Sequence, residues 1–275
     1  MKTIHLNCGS MCPYGGRFVS GSNQQPRMVC HCVLVETSGG LILVDTGIGT
    51  LDIEHPWKHL TGAFVLGMRP TLGLHETARS QISALGYSPN DVRHIVVTHL
   101  DVDHAGGIPD FPEATVHVYA AEHEAATHRQ TTRERLRYRP HQTANHTRWN
   151  LLLTHGEKWL GFDSVRAVPD SDCEVLLVPL TGHTRGHCAV AIRTGNTWLL
   201  HAGDAYFHHH EVRGATYKCP PFLSFFQNQV AMDKQSMQHN RARLRELATS
   251  HNTSVRLFCA HDPVEFDQLA TGNHS

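Results

Sequence analysis

The stretch HIVVTHLDVDHAGG, residues 94–107, combines a strand with a dense cluster of potential metal ligands. Residues 94–98 predict a buried strand, because a short run rich in β-branched residues is typical of one. The next six residues contain two histidines and two aspartates, and glycines follow them. Polar side chains at the end of a buried strand lie at the sheet edge, where open sheets usually place their sites. Core packing does not require such a cluster, so we predict a metal site that uses His99, Asp101, Asp103 and His104.

Three further polar clusters follow hydrophobic strands in the second half of the chain. They are TGHTRGH at 181–187, AGDA at 202–205 and CAHDP at 259–263. Each is a weak signal alone, because a single Asp or His at a strand end more often caps or hydrogen-bonds the backbone than binds a metal. Taken together with the first cluster, they make four such clusters in this order, which favours a shared metal site.

Strands and helices are predicted along the whole chain, and no low-complexity linker divides it. A β-hairpin is predicted from residues 29–36 and 41–44 around the turn at 37–40. Further strands are predicted at 115–119, 174–180, 188–193, 197–201 and 254–260, helices at 78–85, 121–137 and 233–249, and irregular structure at 50–71. Hydrophobic strands at 41–44 and 198–201 both lead into a turn containing Asp and Gly, which suggests two similar αβ halves. We therefore predict one α/β or α+β domain with mixed sheets over residues 1–275.

The composition excludes several classes of protein. The 24 Lys and Arg residues balance 25 Asp and Glu residues, which argues against a generally basic nucleic-acid binder and an acidic disordered chain. Neither a membrane-spanning apolar run nor a signal peptide is recognisable, so we predict a soluble, cytoplasmic protein with no membrane partner. The eight cysteines are then expected to be reduced and buried, with Cys30 and Cys32 on one face of a strand.

The segment 121–150 is unusually rich in arginine. Six arginines and one acidic residue lie between positions 127 and 148. We predict that this segment forms a cap over the site, with Arg129, Arg133 and Arg137 on one helix face. These arginines could attract a carboxylate or phosphate of a substrate, or simply form a solvated face with structural ion pairs. The balanced overall charge disfavours nucleic acid as the partner.

The order of the clusters resembles the metallo-β-lactamase superfamily of metallohydrolases. HxDxDH, GHTxGH, GD and HD, with Asp45 in an upstream VDTG, match its motifs from about Val33 to His261. The arrangement is most similar to the branch of glyoxalase II and the acyl-homoserine lactonases. The resemblance implies an αββα sandwich of two similar halves, with metals at one edge between the sheets, and a hydrolase that uses a metal-bound hydroxide.

The resemblance also implies a role for each candidate. His99, Asp101 and His183 would hold the first of two divalent ions, Asp103, His104 and His261 the second, and Asp204 would bridge them. His187 and Asp45 would orient ligands. Zn²⁺ is the expected ion, with Mn²⁺ or Fe²⁺ as alternatives. Asp103 would pass a proton to the leaving group, and Tyr206 would either donate a hydrogen bond to substrate or be a half-buried strand-end residue. His208–His210 are expected in a solvated loop.

One position departs from the family pattern. The usual motif is HxHxDH, and here Asp101 replaces the second histidine. A carboxylate still binds zinc, but it lowers the net charge of the site by one and favours harder metals. The resemblance to the lactonase branch leads us to predict a hydrolase acting on a lactone or another carboxylic ester of a small metabolite, which could be anionic. The alternatives are a thioesterase of the glyoxalase II kind, a phosphodiesterase, a mononuclear iron sulfur dioxygenase and a non-catalytic sensor.

Overall fold

Two mixed β-sheets lie face to face at the centre of the molecule, with helices on both outer sides. The computed structural model describes residues 2–21, 26–169, 171–214 and 216–274. Within these ranges the strands are β1 (Thr3–Met11), β2 (Met28–Thr37), β3 (Gly40–Val44), β4 (Val92–Val96), β5 (Thr115–Tyr119), β6 (Trp149–Leu152), β7 (Lys158–Trp159), β8 (Phe162–Asp163), β9 (Val165–Arg166), β10 (Val175–Pro179), β11 (Cys188–Thr194), β12 (Thr197–His201) and β13 (Val255–Phe258).

Helices connect these strands, and many of them are short. The α-helices are α1 (Arg17–Ser20), α2 (Thr50–Glu54), α3 (Pro56–His59), α4 (Gly62–Met68), α5 (Ala78–Ala84), α6 (Val102–Ala105), α7 (Ala120–His128), α8 (Thr132–Arg137), α9 (Pro140–Thr143), α10 (Pro221–Val230), α11 (Lys234–Ser250) and α12 (Pro263–Ala270). Turns of 3₁₀-helix occur at Leu74–Glu76, Pro89–Asp91, Ile108–Asp110, His209–Glu211 and Thr271–His274. No helix in the described part of the chain is long and apolar enough to cross a membrane.

The first sheet has the strand order β1-β2-β3-β4-β5-β6, and the second has the order β13-β12-β11-β10-β9. In the first sheet β1, β2 and β3 are antiparallel, whereas β3 to β6 run parallel. In the second sheet β12 and β13 are parallel, and the other pairs are antiparallel. Both sheets are therefore mixed, as predicted.

Three apolar clusters explain the layering. Between the sheets, side chains such as Val33 and Val44 pack against Val190 and Ile192. Alternate residues of the same strands face outward, because successive side chains of a strand point to opposite faces. The outer face of the first sheet packs against α5 and α7, and that of the second packs against α11. This arrangement is the predicted αββα sandwich.

Several local predictions were wrong. Residues 50–71 form α2, α3 and α4, which are too short to show a clear helical period; Pro56 begins α3, and the Thr61 hydroxyl accepts a hydrogen bond from the Phe64 amide at the start of α4. The strand β1 was missed altogether.

The predicted helix 121–137 is also interrupted. It ends at His128 because Arg129 adopts a left-handed conformation with φ 44°, and a capping box at Thr131 and Glu134 starts α8. Arg129, Arg133 and Arg137 therefore do not share one helix face, which corrects the sequence-based prediction.

All eight cysteines are free, as expected. Six of them are buried, including Cys30 and Cys32 on the outer side of β2, whereas Cys12 and Cys219 are only partly buried, which corrects the expectation.

Candidate metal centre

The first group of predicted ligands meets where β4 and β10 end. His99 follows β4, Asp101 precedes α6, and His183 follows β10. The Oδ2 atom of Asp101 lies 3.1 Å from His183 Nε2 and 3.4 Å from His99 Nε2. One possible ligand atom from each residue lies within 4.8 Å of the other two. These three residues are therefore close enough to share one ion.

The second group lies beside the first. Asp103 and His104 are on α6, and His261 follows β13. His261 Nε2 is 3.6 Å from Asp103 Oδ2. His104 Nε2 and His261 Nε2 lie 3.3 and 3.2 Å from Asp204 Oδ1. The buried thiol of Cys30, which the sequence did not single out, also lies beside Asp103 and His261.

Asp204 lies between the two groups. Its Oδ1 atom faces His104 and His261, while its Oδ2 atom is 3.3 Å from His183 Nε2 and 3.9 Å from His99 Nε2. Burial alone would raise the pKa of Asp204, but His261, His104 and His183 together hold that pKa well below its usual range. The carboxylate is thus ionised, and its two oxygens lie next to ligand atoms of both groups.

Unpartnered polar atoms show that this group of residues fits divalent ions. His99 Nε2, His104 Nε2 and Asp204 Oδ1 are buried, and none of them has a hydrogen-bond partner among the described residues. A buried polar atom without a partner costs about 1–3 kcal/mol. Three such atoms converging on one place, all of types that bind zinc, are expected where metals sit.

Hydrogen bonds behind the ligands point their free nitrogens inward. His104 Nδ1 donates to Asp45 Oδ2 at 2.8 Å, and His261 Nδ1 donates to the Val29 carbonyl at 2.8 Å. Asp45 also accepts the Thr98 hydroxyl, whose oxygen in turn lies 2.9 Å from His99 Nδ1. A donor at Nδ1 leaves the lone pair at Nε2, which is the atom that faces the centre. Asp45 therefore fixes the ring orientation of His104 through this hydrogen bond.

His187 also lies behind the ligands. Its Nδ1 atom donates to the Leu180 carbonyl at 2.9 Å, and its Nε2 atom accepts the Asp204 amide at 2.9 Å. Both ring nitrogens are occupied, so His187 fixes the loop that carries Asp204.

Arg137 makes a contact that the sequence did not reveal. Its Nε atom lies 3.3 Å from Asp101 Oδ1, its Nη1 atom donates to the His183 carbonyl at 2.7 Å, and its Nη2 atom donates to the Val230 carbonyl at 2.6 Å. Burial would raise the pKa of Asp101, but Arg137 and the two neighbouring histidines hold that pKa well below its usual range. Asp101 thus directs Oδ2 toward the histidines and Oδ1 toward a guanidinium.

Comparison with known proteins agrees with this geometry. The family model described as the metallo-beta-lactamase superfamily matches residues 26–253. The chain belongs to this superfamily. Two proteins named "Probable metallo-hydrolase", from Mycobacterium bovis and Mycobacterium tuberculosis, are each 42% identical to it over 273 residues, which cover 98% of this chain and 83% of each relative. An N-acyl homoserine lactonase from Bacillus thuringiensis is 36% identical over 100 residues, 36% of this chain and 40% of the lactonase.

Solved structures share the fold. An N-acyl homoserine lactone hydrolase with bound N-hexanoyl-L-homoserine superposes with a TM-score of 0.69 and 23% identity, over 97% of this chain and 95% of that chain. A dizinc quorum-quenching lactonase superposes with a TM-score of 0.61 and 16% identity, over 95% and 87% of the two chains. These structures show the metallo-β-lactamase fold, and the superfamily match and the 42% identical relatives make the chain a metallo-hydrolase.

The centre of this metallo-hydrolase opens into a cavity of about 170 Å³. Its polar floor includes Asp101, Asp103, His183, Asp204 and His261. Its wall is mainly apolar and consists of Met28, Thr61, Phe64, Met68, Val102, Leu136, Phe207, Phe226 and Val230, with Arg137 at its base. A polar floor beneath an apolar wall is typical of a small-molecule site.

The position of Tyr206 does not support the predicted contact with substrate. Its side chain is fully buried and is absent from the cavity lining, where Phe207 lies instead. Its hydroxyl donates to the Glu265 carboxylate at 3.0 Å, and the same carboxylate accepts the Cys259 amide at 2.9 Å. Tyr206 and Glu265 thus connect the loop of Asp204 to the loop of His261, which is a structural role.

Two further features differ from the sequence-based expectations. His208–His210 are not in a plain solvated loop, because His209–Glu211 form a 3₁₀ turn in which His209 Nδ1 contacts Asp262 Oδ2 at 2.7 Å. Glu122, which the sequence did not indicate, is fully buried and accepts hydrogen bonds from the Leu100 amide, the Thr184 hydroxyl and the Gly186 amide. It therefore holds the loops of His99 and His183 together, and an isolated Glu in a helix gave no signal of this.

Proposed function

We propose that this metallo-hydrolase cleaves a lactone or another carboxylic ester of a small, largely apolar metabolite. The observation that carries the proposal is the cluster of all seven predicted ligands beneath a cavity whose wall is apolar, with five of them lining its floor. The two groups of potential metal ligands support the hydrolytic chemistry, and the apolar cavity wall supports the substrate class.

Two divalent ions fit the residues of the floor. His99, Asp101 and His183 would hold one ion, Asp103, His104 and His261 would hold the other, and Asp204 faces both groups. Two ions at such a centre supply a Lewis acid for a carbonyl oxygen and activate water as a nucleophile. Zinc suits this mixture of imidazole and carboxylate, and the three carboxylates also suit manganese or iron.

The side chains around the floor contribute positioning and proton transfer. Asp103 lines the cavity, and its carboxylate would take a proton from the attacking water and pass it to the oxygen of the leaving alcohol. Arg137 offsets the charge that Asp101 adds in place of the usual histidine, so that the floor keeps the net charge of the common pattern. This pairing explains how the chain tolerates a third carboxylate at its centre.

The wall favours an uncharged acyl group over an anionic substrate. Phe64, Met68, Phe207, Phe226 and Val230 surround the cavity and would bury an acyl chain. Of the three arginines predicted to attract an anion, only Arg137 lines the cavity. Its guanidinium is engaged by Asp101 and by two backbone carbonyls, which leaves it poorly placed to bind a phosphate. A lactone or ester is therefore favoured over a phosphodiester.

The proposal is tested with zinc-loaded protein and a matched set of substrates. Acyl lactones of increasing chain length, an acyl thioester and a phosphodiester are compared by kcat/KM, with metal content measured on the same sample. We expect two ions per chain, lactone or ester hydrolysis well above the other activities, and a KM that falls as the acyl chain lengthens. Phosphodiester cleavage as the main activity, or one iron per chain with oxygen uptake on a persulfide, would replace the proposal.

A further inference from the structure

Asp52, His59 and His141 form a second cluster of potential ligands, and none of them lines the cavity. They come from the short helices α2, α3 and α9 respectively. We propose that this cluster, named the peripheral site, holds a divalent metal ion of the zinc class. The proposal does not depend on the substrate of the enzyme or on how many ions the cavity floor binds.

The distances in the peripheral site match those around one ion. Asp52 Oδ1 lies 3.2 Å from His141 Nε2 and 3.9 Å from His59 Nδ1. One possible ligand atom from each residue lies within 4.8 Å of the other two. Ligand atoms about 2.1 Å from a tetrahedral zinc are separated by roughly 3.4 Å, so small side-chain adjustments are sufficient.

A buried atom without a partner supports the proposal independently. His59 Nδ1 is buried and has no hydrogen-bond partner in the described parts of the chain. The His59 side chain is only 8% exposed, and its 3.9 Å separation from Asp52 is too long for a hydrogen bond. Burying this nitrogen unpaired is unfavourable, whereas an ion between it and Asp52 would satisfy both groups.

The other two residues leave a ligand atom and an entry path. Asp52 Oδ2 accepts the Gly49 amide at 3.1 Å, which holds the carboxylate and leaves Oδ1 toward the histidines. The His141 side chain is 24% exposed, so an ion can enter from solvent and keep a water molecule as a further ligand. Two histidines, one carboxylate and water form a common set of zinc ligands.

The rings of His59 and His141 lie against each other in the peripheral site. They stack with centroids 4.0 Å apart, which holds both imidazoles beside Asp52.

An ion at the peripheral site would hold together the helices that surround α6, which carries Asp103 and His104. Gly49, held by Asp52, packs so closely on Gly106 that a Cβ at Gly49 would collide with the Gly106 carbonyl. On the other side, Gln142, next to His141, donates to the Val102 carbonyl on α6 at 3.1 Å. The ion would therefore link α2 and α3 to α9 around the helix that carries Asp103 and His104.

Native mass spectrometry after equilibration with a fixed free zinc concentration tests the proposal, because it counts ions in folded molecules only. The variants are His59→Ala and His141→Ala, and His239→Ala on the exposed side of α11 is the control. We expect both test variants to carry one zinc fewer than the wild type, and the control to carry the same number. Ester hydrolysis by the test variants should remain measurable, since the ligands of the floor are unchanged.

Equal zinc counts in the wild type and in folded His59→Ala and His141→Ala would overturn the proposal. If His59→Ala yields no folded molecules, His141→Ala alone decides, because its ring is partly exposed and its removal leaves no large buried cavity. The test compares the number of zinc ions in each variant with the number in the wild type. An error in the proposed function, such as one ion in the floor instead of two, would therefore leave this result readable.

Discussion

The floor of the cavity is built from loops at strand ends and from the short helix α6, whereas most of its wall comes from α4, α8 and α10. At the floor, the Nδ1 atom of His104 donates a hydrogen bond to Asp45, and the Nδ1 atom of His261 donates one to the Val29 carbonyl. These bonds fix the orientation of both rings. On the wall, Phe64 on α4 and Phe226 on α10 make mainly apolar contacts and have few directional constraints. The comparison indicates that the floor determines the reaction, and that the wall determines which substrate binds.

The same difference governs how each region responds to mutation. A hydrogen-bonded ligand has one useful orientation, so its loss removes an ion or misplaces it. An apolar side chain contributes contact area, so its loss weakens binding in proportion to that area. Changes in the floor are therefore expected to have larger effects on hydrolysis than changes in the wall.

The largest expected effect is at the residue between the two metal groups. Asp204→Asn should lower kcat/KM for the ester substrate by more than about 100-fold, beyond the loss usual for groups that only support a ligand. The amide is neutral and cannot offer two anionic oxygens. Metal content and steady-state kinetics check this, with exposed Asp267→Asn as the control. Full metal content and near wild-type hydrolysis would show that the floor is not built as described.

The next effect concerns the support beneath the floor and its dependence on pH. Burial and the nearby Asp262 raise the pKa of Glu265 to about 7 from 4.5. The folded state thus binds the Glu265 proton more tightly than the unfolded state does. This preference stabilises the folded protein below pH 4.5, and the stabilisation is lost as pH rises through 7. The difference corresponds to about 3 kcal/mol.

Glu265→Gln removes this titration while keeping an acceptor for Tyr206 and the Cys259 amide. The wild type loses stability over this pH range and the variant does not. The free energy of unfolding of the variant minus that of the wild type should therefore increase from pH 4.5 to pH 8. Denaturant unfolding with zinc present throughout measures it, and exposed Glu157→Gln should show no such trend. A flat difference across this range would mean that Glu265 titrates normally.

A smaller effect is expected where the wall meets the floor. Arg137→Gln should lower kcat/KM by about tenfold, because Asp101 loses the cation that offsets its charge and holds its orientation. In an Asp101→His background the same change should cost no more than about twofold, since no carboxylate is left to pair. A double-mutant cycle for metal affinity and kcat/KM measures the coupling. Equal losses in both backgrounds would assign Arg137 to the wall alone.

The smallest effect is expected in the wall itself. Phe64→Ala should raise KM for a long-chain ester several-fold, because the acyl chain loses apolar contact, while kcat and metal content stay close to wild type. A short-chain ester provides the comparison and should be affected less. A fall in kcat with loss of metal would contradict the separation between wall and floor.

Sequence reasoning was most accurate where the signal is local. The strands at 115–119 and 197–201 were predicted with the bounds of the structure, because buried strands are short apolar runs between turns. The short helices at 50–68 and the interruption at Arg129 were missed, since they depend on caps and on tertiary contacts and not on a repeated pattern.

The sequence by itself determined the superfamily, the sandwich and the seven candidate ligands, because strand ends with His and Asp are contiguous features of the chain. Only the tertiary structure determined which other side chains contact these ligands or the loops that carry them. Arg137 reaches Asp101 across 36 positions, Glu122 joins the loops of His99 and His183, and Tyr206 turns away from the cavity to Glu265. The peripheral site likewise joins Asp52 to His141, which are 89 positions apart. Such contacts form when separate segments pack together, so the spacing of residues along the chain does not predict them.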